Sequence, residues 1–216
     1  MLRLVRSPDA RPTPAVAPAG DHADPLRPVA RRAAAGDDRA QRTLLVALGP
    51  ALLRVVRAVL GVGHPDAEDV LQESMISLCA ALASFRGECR TSHFACRVAV
   101  QTAMNARRRA AHRQRTTPTI PPDELAELAH DDLSPAELLA AARRRELLRS
   151  LLAELPPVQA EVLALHTMLG HSVAETAAVT RVPVNTVRSR LRAALAALRE
   201  RAGRDAVLSE TARSEP

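Results

Sequence analysis

Ser172-Val173-Ala174-Glu175-Thr176-Ala177-Ala178-Val179-Thr180-Arg181-Val182-Pro183-Val184-Asn185-Thr186-Val187-Arg188-Ser189-Arg190-Leu191-Arg192 decides the reading of this chain. Ser172 stands three residues before Glu175, the spacing of a capping box at a helix start. Thr180-Arg181-Val182 is a turn, and Pro183 stands near the start of the next helix, with Asn185 or Thr186 as its cap. At roughly 100° per residue, Val187, Leu191, Ala194, Leu195 and Leu198 gather on one stripe. Asn185, Arg188, Ser189 and Arg192 fall opposite, with Thr186 and Arg190 toward one edge. Two short helices joined tightly, the second faced with Arg, follow the helix-turn-helix plan. Such a face can enter a major groove, where Arg reads guanine edges or holds phosphates and Asn reads adenine. A merely solvated amphipathic helix would show the same stripe. The cap, the turn and four Arg with no acid between 181 and 192 favour the groove.

Working outward, Leu155-Pro156-Pro157 starts a helix expected to run through Leu165, and Ser134-Pro135-Ala136-Glu137 reads as cap, first-turn Pro and acid. Residues 138–203 thus form a second helical block, with a tail at 204–216. Thr116-Thr117-Pro118-Thr119-Ile120-Pro121-Pro122 cannot be helix. The following stretch holds six acids (Asp123, Glu124, Glu127, Asp131, Asp132, Glu137) and no Arg, so 116–137 reads as a flexible acidic linker. Residues 39–115 form a first helical block. Leu45, Leu48, Leu52, Val55, Val56 and Val59 recur at helical steps, and Gly61-Val62-Gly63-His64-Pro65-Asp66 is a break. Asp66 is expected to cap a helix carrying Val70, Leu71, Ser74, Met75, Leu78 and Leu82 on one side. Another helix is expected from about Ser92 to Arg115. Six of sixteen Pro lie in the first 28 residues, which reads as a disordered tail through residue 38. Nothing alternates with period two, so the class is all-α: two small helical domains joined by the linker.

The composition narrows the function. The chain has 216 residues, all thirty basic residues are Arg, and the net charge is +6. The excess suggests a polyanionic partner, although an Arg-for-Lys bias would raise the same count. The absence of Lys excludes Schiff-base chemistry and a phosphate-loop Lys. Two aromatics, Phe85 and Phe94, are too few for a stacking sheet. No apolar run of the length of a membrane span and no secretory leader are expected, and three Cys fit a reducing, cytoplasmic setting.

The second block, from Glu154-Leu155-Pro156-Pro157-Val158-Gln159 through the helix-turn-helix, resembles region 4 of the sigma-70 family, in its extracytoplasmic-function (ECF) group. The resemblance implies that Asn185, Thr186, Arg188, Ser189, Arg190 and Arg192 bind the −35 promoter element, and that the module meets the flap of the polymerase β subunit. Asp66-Ala67-Glu68-Asp69-Val70-Leu71-Gln72-Glu73 is similar to family region 2.2, which packs on the β′ coiled-coil. That similarity implies polymerase binding by Asp66, Glu68, Asp69, Gln72 and Glu73. Phe85-Arg86-Gly87-Glu88 and Phe94-Ala95-Cys96-Arg97-Val98-Ala99 resemble regions 2.3 and 2.4, implying that Arg86, Gly87, Glu88, Phe94, Arg97 and Gln101 hold the opened −10 strand. Arg107, Arg108 and Arg109, within a run of six Arg and no acid from 97 to 115, would grip the flanking duplex. The sequence departs from the family where Arg181 replaces a frequent Gly, Asn185 another Gly, and Phe94, Cys96 and Gln101 a usual Trp, Tyr and Asn. The resemblance implies an initiation factor that recruits core RNA polymerase to promoter DNA, with an anti-sigma protein as a further possible partner.

Other readings stand beside it. A helix-turn-helix regulator binding DNA unaided would use the same second block. Asp69 and Glu73 share a helix face that could be solvated or could meet a metal. Cys89, His93 and Cys96 have metal-like spacing but lack a fourth ligand, unless Cys79 or His112 serves. Without a nucleophile–base pair or a Gly-rich phosphate loop, no enzyme, cofactor or metal is expected, nor any membrane insertion.

Overall fold

A computed structural model describes residues 24–116 and 135–204, and everything regular among them is helical. Most of the expected tails and linker, including Asp123 to Asp132, lies outside the described residues. The first block contains α1 (Arg27–Ala34), α2 (Asp38–Leu60), α3 (Ala67–Leu82) and α4 (Thr91–Thr116). The second contains α5 (Pro135–Glu154), α6 (Pro157–Leu163), a π-type turn (Ala164–Met168), α7 (Val173–Thr180) and α8 (Val184–Arg204).

Helix α1 corrects the expected tail. Pro28 lies in its first turn, where a missing N–H is no loss, and Ala30 and Ala33 are buried against the block. The Asp24 carboxylate accepts bonds from the Thr91 backbone N–H and hydroxyl, both at 2.6 Å, tying the entry to α1 to the start of α4. Asp37 caps α2 by accepting the Ala40 N–H at 2.9 Å. By length and apolarity α2 could cross a membrane, which corrects the expectation of no such run. Its Leu44, Leu48, Leu52, Val55, Val56 and Val59 are instead core of the helical block. Pro50 deprives the Val46 carbonyl of its helical donor; both residues are exposed, so water can supply one.

Asp66 occupies the N-cap position of α3, but its side chain makes no capping bond to the helix. Val70, Ser74, Leu78 and Leu82 are buried on the inner stripe of α3, and the Ser74 hydroxyl donates back to the Val70 carbonyl at 2.7 Å. Each fully buried Leu contributes about 1.5–3 kcal/mol. At the far end of α2, Arg149 of α5 donates to the Ala58 carbonyl, and Arg107 of α4 to those of Val59 and Leu60. Two guanidiniums thus meet the negative end of that helix. Glu146 accepts from both.

The apolar core does not stop between the blocks. Ala95, Ala99 and Ala103 of α4 belong to one buried cluster with Leu152, Ala160, Leu163, Leu165 and Val179. Small side chains along α4 allow this approach. A smaller cluster of Val162, Ala177, Val187 and Leu191 holds the helix-turn-helix together.

Candidate nucleic-acid interface

Helix α8 presents its outer face because the turn before it is firmly built. Ser172 accepts the Glu175 N–H at 3.1 Å while Glu175 accepts the Ser172 N–H at 2.8 Å. Arg181 closes α7 at φ 56° and ψ 41°; among the described residues it is the one non-Gly residue with positive φ. The Pro183 carbonyl accepts the Val187 N–H. The helix therefore begins ahead of Asn185 and Thr186, which lie inside its first turn rather than capping it. Val187 and Leu191 are buried, whereas Asn185, Arg188, Ser189 and Arg192 are exposed and Thr186 and Arg190 half-buried. The Asn185 side chain accepts a bond from Arg188 at 3.2 Å, so these two polar groups stand together on the open face.

On α3, Glu68, Asp69 and Gln72 are exposed and Asp66 and Glu73 partly so. Asp69, Gln72, Glu73 and Ile76 recur at helical steps on one outward stripe. Ile76 is 65% exposed and Val46 on α2 is 80% exposed. The sequence pattern does not single out these two apolar side chains, because each sits in a helix most of whose large apolar residues are core. Glu73 pairs with Arg109 at 2.8 Å.

The third group, expected to hold opened DNA, divides. Arg86 and Glu88 are exposed beside Gly87, whose φ is +76°. Phe94 is only 6% exposed and its ring packs 4.9 Å from that of Phe85. In this structure the ring packs into the core beside Phe85 and turns no open face outward. Arg107 is likewise committed, to the α2 carbonyls and Glu146. Arg108 is half-buried and Arg109 exposed. Arg97 and Gln101 both reach Glu161 of α6, at 2.6 and 2.8 Å, and Arg97 also donates to the Val179 carbonyl at 3.0 Å. Glu161 is 8% exposed, and its position within a buried helix gave no sequence signal.

Two imidazoles meet between the blocks. His93 and His171 stack with ring centroids 4.3 Å apart, and His93 Nε2 is 4.0 Å from Glu175. Burial pushes the His93 imidazole below its ordinary range, while Glu175 pulls the other way. Burial, then the neighbouring His93, bring His171 down to about 4. Burial raises the Cys89 thiol and carries Cys96 to about 11, so neither is an activated thiolate at neutral pH. Among the described residues no three His, Cys, Asp or Glu side chains converge as metal ligands would.

An all-helical chain with a built helix-turn-helix, a basic outer face on its second helix and a separate acidic and apolar stripe belongs to the DNA-binding transcription proteins. Residues 44–113 match the family model for sigma-70 region 2, and residues 145–198 that for sigma-70 region 4. The ECF RNA polymerase sigma factor ShbA of Streptomyces griseus is 31% identical over 173 residues, spanning 78% of this chain and 90% of that protein. The ECF RNA polymerase sigma factor SigD of Mycobacterium tuberculosis is 31% identical over 179 residues, spanning 81% and 82%. The solved structure of the sigma factor RpoE in complex with the anti-sigma factor NepR from Bartonella quintana is a more distant likeness: 20% identity, 76% of this chain and 97% of that one, TM-score 0.47. The chain belongs to the sigma-70 family and is an RNA polymerase sigma factor of the ECF group. A helix-turn-helix regulator acting without polymerase is not favoured.

Proposed function

We propose that the three faces divide the work of initiation. The α3 stripe, with Asp66, Glu68, Asp69, Gln72 and Glu73 around Ile76, docks on the β′ coiled-coil of core polymerase. Carboxylates around an exposed apolar side chain suit a protein partner and repel DNA. The second block meets the β flap and sets α8 in the major groove of the −35 element, where Arg188, Ser189, Arg190, Arg192, Asn185 and Thr186 read bases or hold phosphates. Arg86, Gly87, Glu88, Arg97 and Gln101 hold the opened −10 strand, with Arg108 and Arg109 on the flanking phosphates. Phe94 and Arg107 support this surface from within. The factor contributes recognition and strand capture and no covalent chemistry of its own. It works in the cytoplasm, where template and polymerase are, and family membership makes an anti-sigma protein a candidate partner.

The observation that carries this reading is the separation of two opposite surfaces on one chain: exposed acids with Ile76 on α3, and exposed Arg with Asn185 on α8. The test is binding of the fluorescently labelled chain to purified core polymerase. The wild-type chain is expected to bind saturably, and D69R/Q72R to lose at least about tenfold in affinity, a change of roughly 1.4 kcal/mol. Equal binding by both would place the polymerase contact elsewhere.

A further inference from the structure

Helix α1 lies ahead of the residues that match sigma-70 region 2, yet it reaches the loop proposed to hold opened DNA. Arg27 is its first residue, and the side chain runs along Gly87. A Cβ built on Gly87 would stand 3.7 Å from Arg27 Nε, 3.8 Å from Cζ and 3.9 Å from Cδ, all ordinary contact distances. Three successive atoms at nearly one distance mean that the guanidinium lies broadside to the loop. Gly87 has φ +76°, a conformation that would strain any side chain, so the backbone beneath Arg27 stays bare.

The acids beside Arg27 in the chain and in the loop are already engaged. Asp24 accepts from the Thr91 N–H and hydroxyl through Oδ2, and from the Leu26 N–H through Oδ1 at 3.1 Å. Glu88, next to Gly87, is 3.1 Å from Arg181. Arg27 Nε is buried and has no hydrogen-bond partner among the described residues. A buried charged donor without an acceptor is costly, so its retention calls for a reason other than stability. Packing does not supply one: Ala30 and Ala33 seat α1 in the core, and Asp24 tethers its start. Nor does helix electrostatics, because the first turn of α1 holds no acid and its positive end adds to the charge of Arg27. Arg86, exposed, and Arg90, half-buried, stand on the same loop.

We infer that Arg27 extends the strand-holding surface onto α1: its guanidinium takes a phosphate oxygen of the opened −10 strand where that strand passes Gly87. The inference rests on the proposed role of the 86–88 loop. A phosphate brings a full negative charge to a place where Arg27, Arg86 and the start of α1 are all positive, and it satisfies a charged donor with a charged acceptor. A base edge would supply the acceptor without the charge. A backbone contact of this kind fixes the position of the strand and carries no base preference itself.

The test uses holoenzyme assembled from core polymerase and the full chain. The probe is a fluorescein-labelled single-stranded oligonucleotide carrying the −10 element of a mapped start site. At about 0.1 M salt, where surface charges still act over about 10 Å, R27A is expected to bind it roughly tenfold more weakly, the order of one charge-assisted hydrogen bond. The slope of log affinity against log salt is expected to fall by about 0.7, the share of one single-strand phosphate contact. R27K, which keeps a point charge, is expected to recover most of that slope. R32A removes the same charge from the far end of α1, where Asp37 already holds it, and is expected to change neither value. The relative loss in R27A is expected to be the same on an oligonucleotide with altered −10 bases. An R27A holoenzyme with unchanged affinity and slope would overturn the inference while the functional reading stands. So would an equal loss in R32A, a failure of R27K to recover the slope, or a loss confined to one base sequence, which would mark a base contact instead. If the wild-type holoenzyme binds the −10 strand no better than a scrambled one, the functional reading fails and the inference falls with it.

Discussion

Acid should loosen this protein before it reaches the range where carboxylates titrate, and the stacked pair between the blocks sets the size of the effect. His171 is 5% exposed and titrates near 4 in the folded chain, against about 6.5 for an unhindered imidazole. The unfolded chain therefore binds a proton in a pH range where the folded chain does not. Stability is full above about pH 6.5 and is lost as pH falls toward about 4, at about 1.4 kcal/mol per pH unit. The His171 shift, to which the neighbouring His93 contributes, corresponds to on the order of 3 kcal/mol across that window. His93, also held below its ordinary range, acts in the same direction. The Asp37 carboxyl, lowered by its bond from the Ala40 N–H and then by Arg32, titrates below its ordinary 3.8 and leaves this window undisturbed. With no Trp or Tyr in the chain, the assay is urea unfolding followed by far-ultraviolet circular dichroism at a series of pH values. The control is His171→Phe, which keeps a ring against His93 without a titrating nitrogen; His171 Nδ1 has no hydrogen-bond partner among the described residues. The wild-type midpoint should fall steeply from pH 6.5 to 4 and that of the variant less steeply. Parallel curves for the two proteins would refute the assignment of the acid sensitivity to this stack.

Ser172→Ala removes half of the capping box and should cost about 1 kcal/mol, seen as lower thermal stability with faster hydrogen exchange at the Glu175 amide. Arg188→Ala should weaken binding to the upstream element by about 1–3 kcal/mol if it reads a base, without changing affinity for core polymerase; a competition assay on a mapped promoter measures both. Ile76→Arg places charge on an already exposed position, so the melting temperature should hold while core binding falls by more than about 2 kcal/mol, as for the centre of an interface.

Local chemistry was readable where it is set by neighbours in the chain. The Ser172–Glu175 spacing announced the start of α7, and the stripe of Val187 and Leu191 opposite Arg188 and Arg192 announced which side of α8 faces outward. Helix α1 was hidden because its Pro28 and small residues look like a tail by composition, yet Pro is favourable in a first turn and Ala30 and Ala33 suit a tight packing site. Asn185 looked like a cap because polar residues usually end helices, but the Pro183 carbonyl already starts α8. The fates of Arg97, Arg107 and Phe94 depend on partners far along the chain: Glu161, the end of α2, and Phe85 with the surrounding core. A run of Arg shows its charge in the sequence, whereas which guanidinium is already bonded is decided only by packing. The π-type turn at Ala164–Met168 carries no residue pattern that marks it beforehand.

Run-off transcription on genomic DNA, with 5′ ends mapped, tests the account most directly. Core polymerase supplied with this chain should start at discrete sites that share two spaced upstream elements, and should lose those starts when Arg188 and Arg192 are replaced by Ala. Start sites indistinguishable from those of core polymerase alone would contradict it.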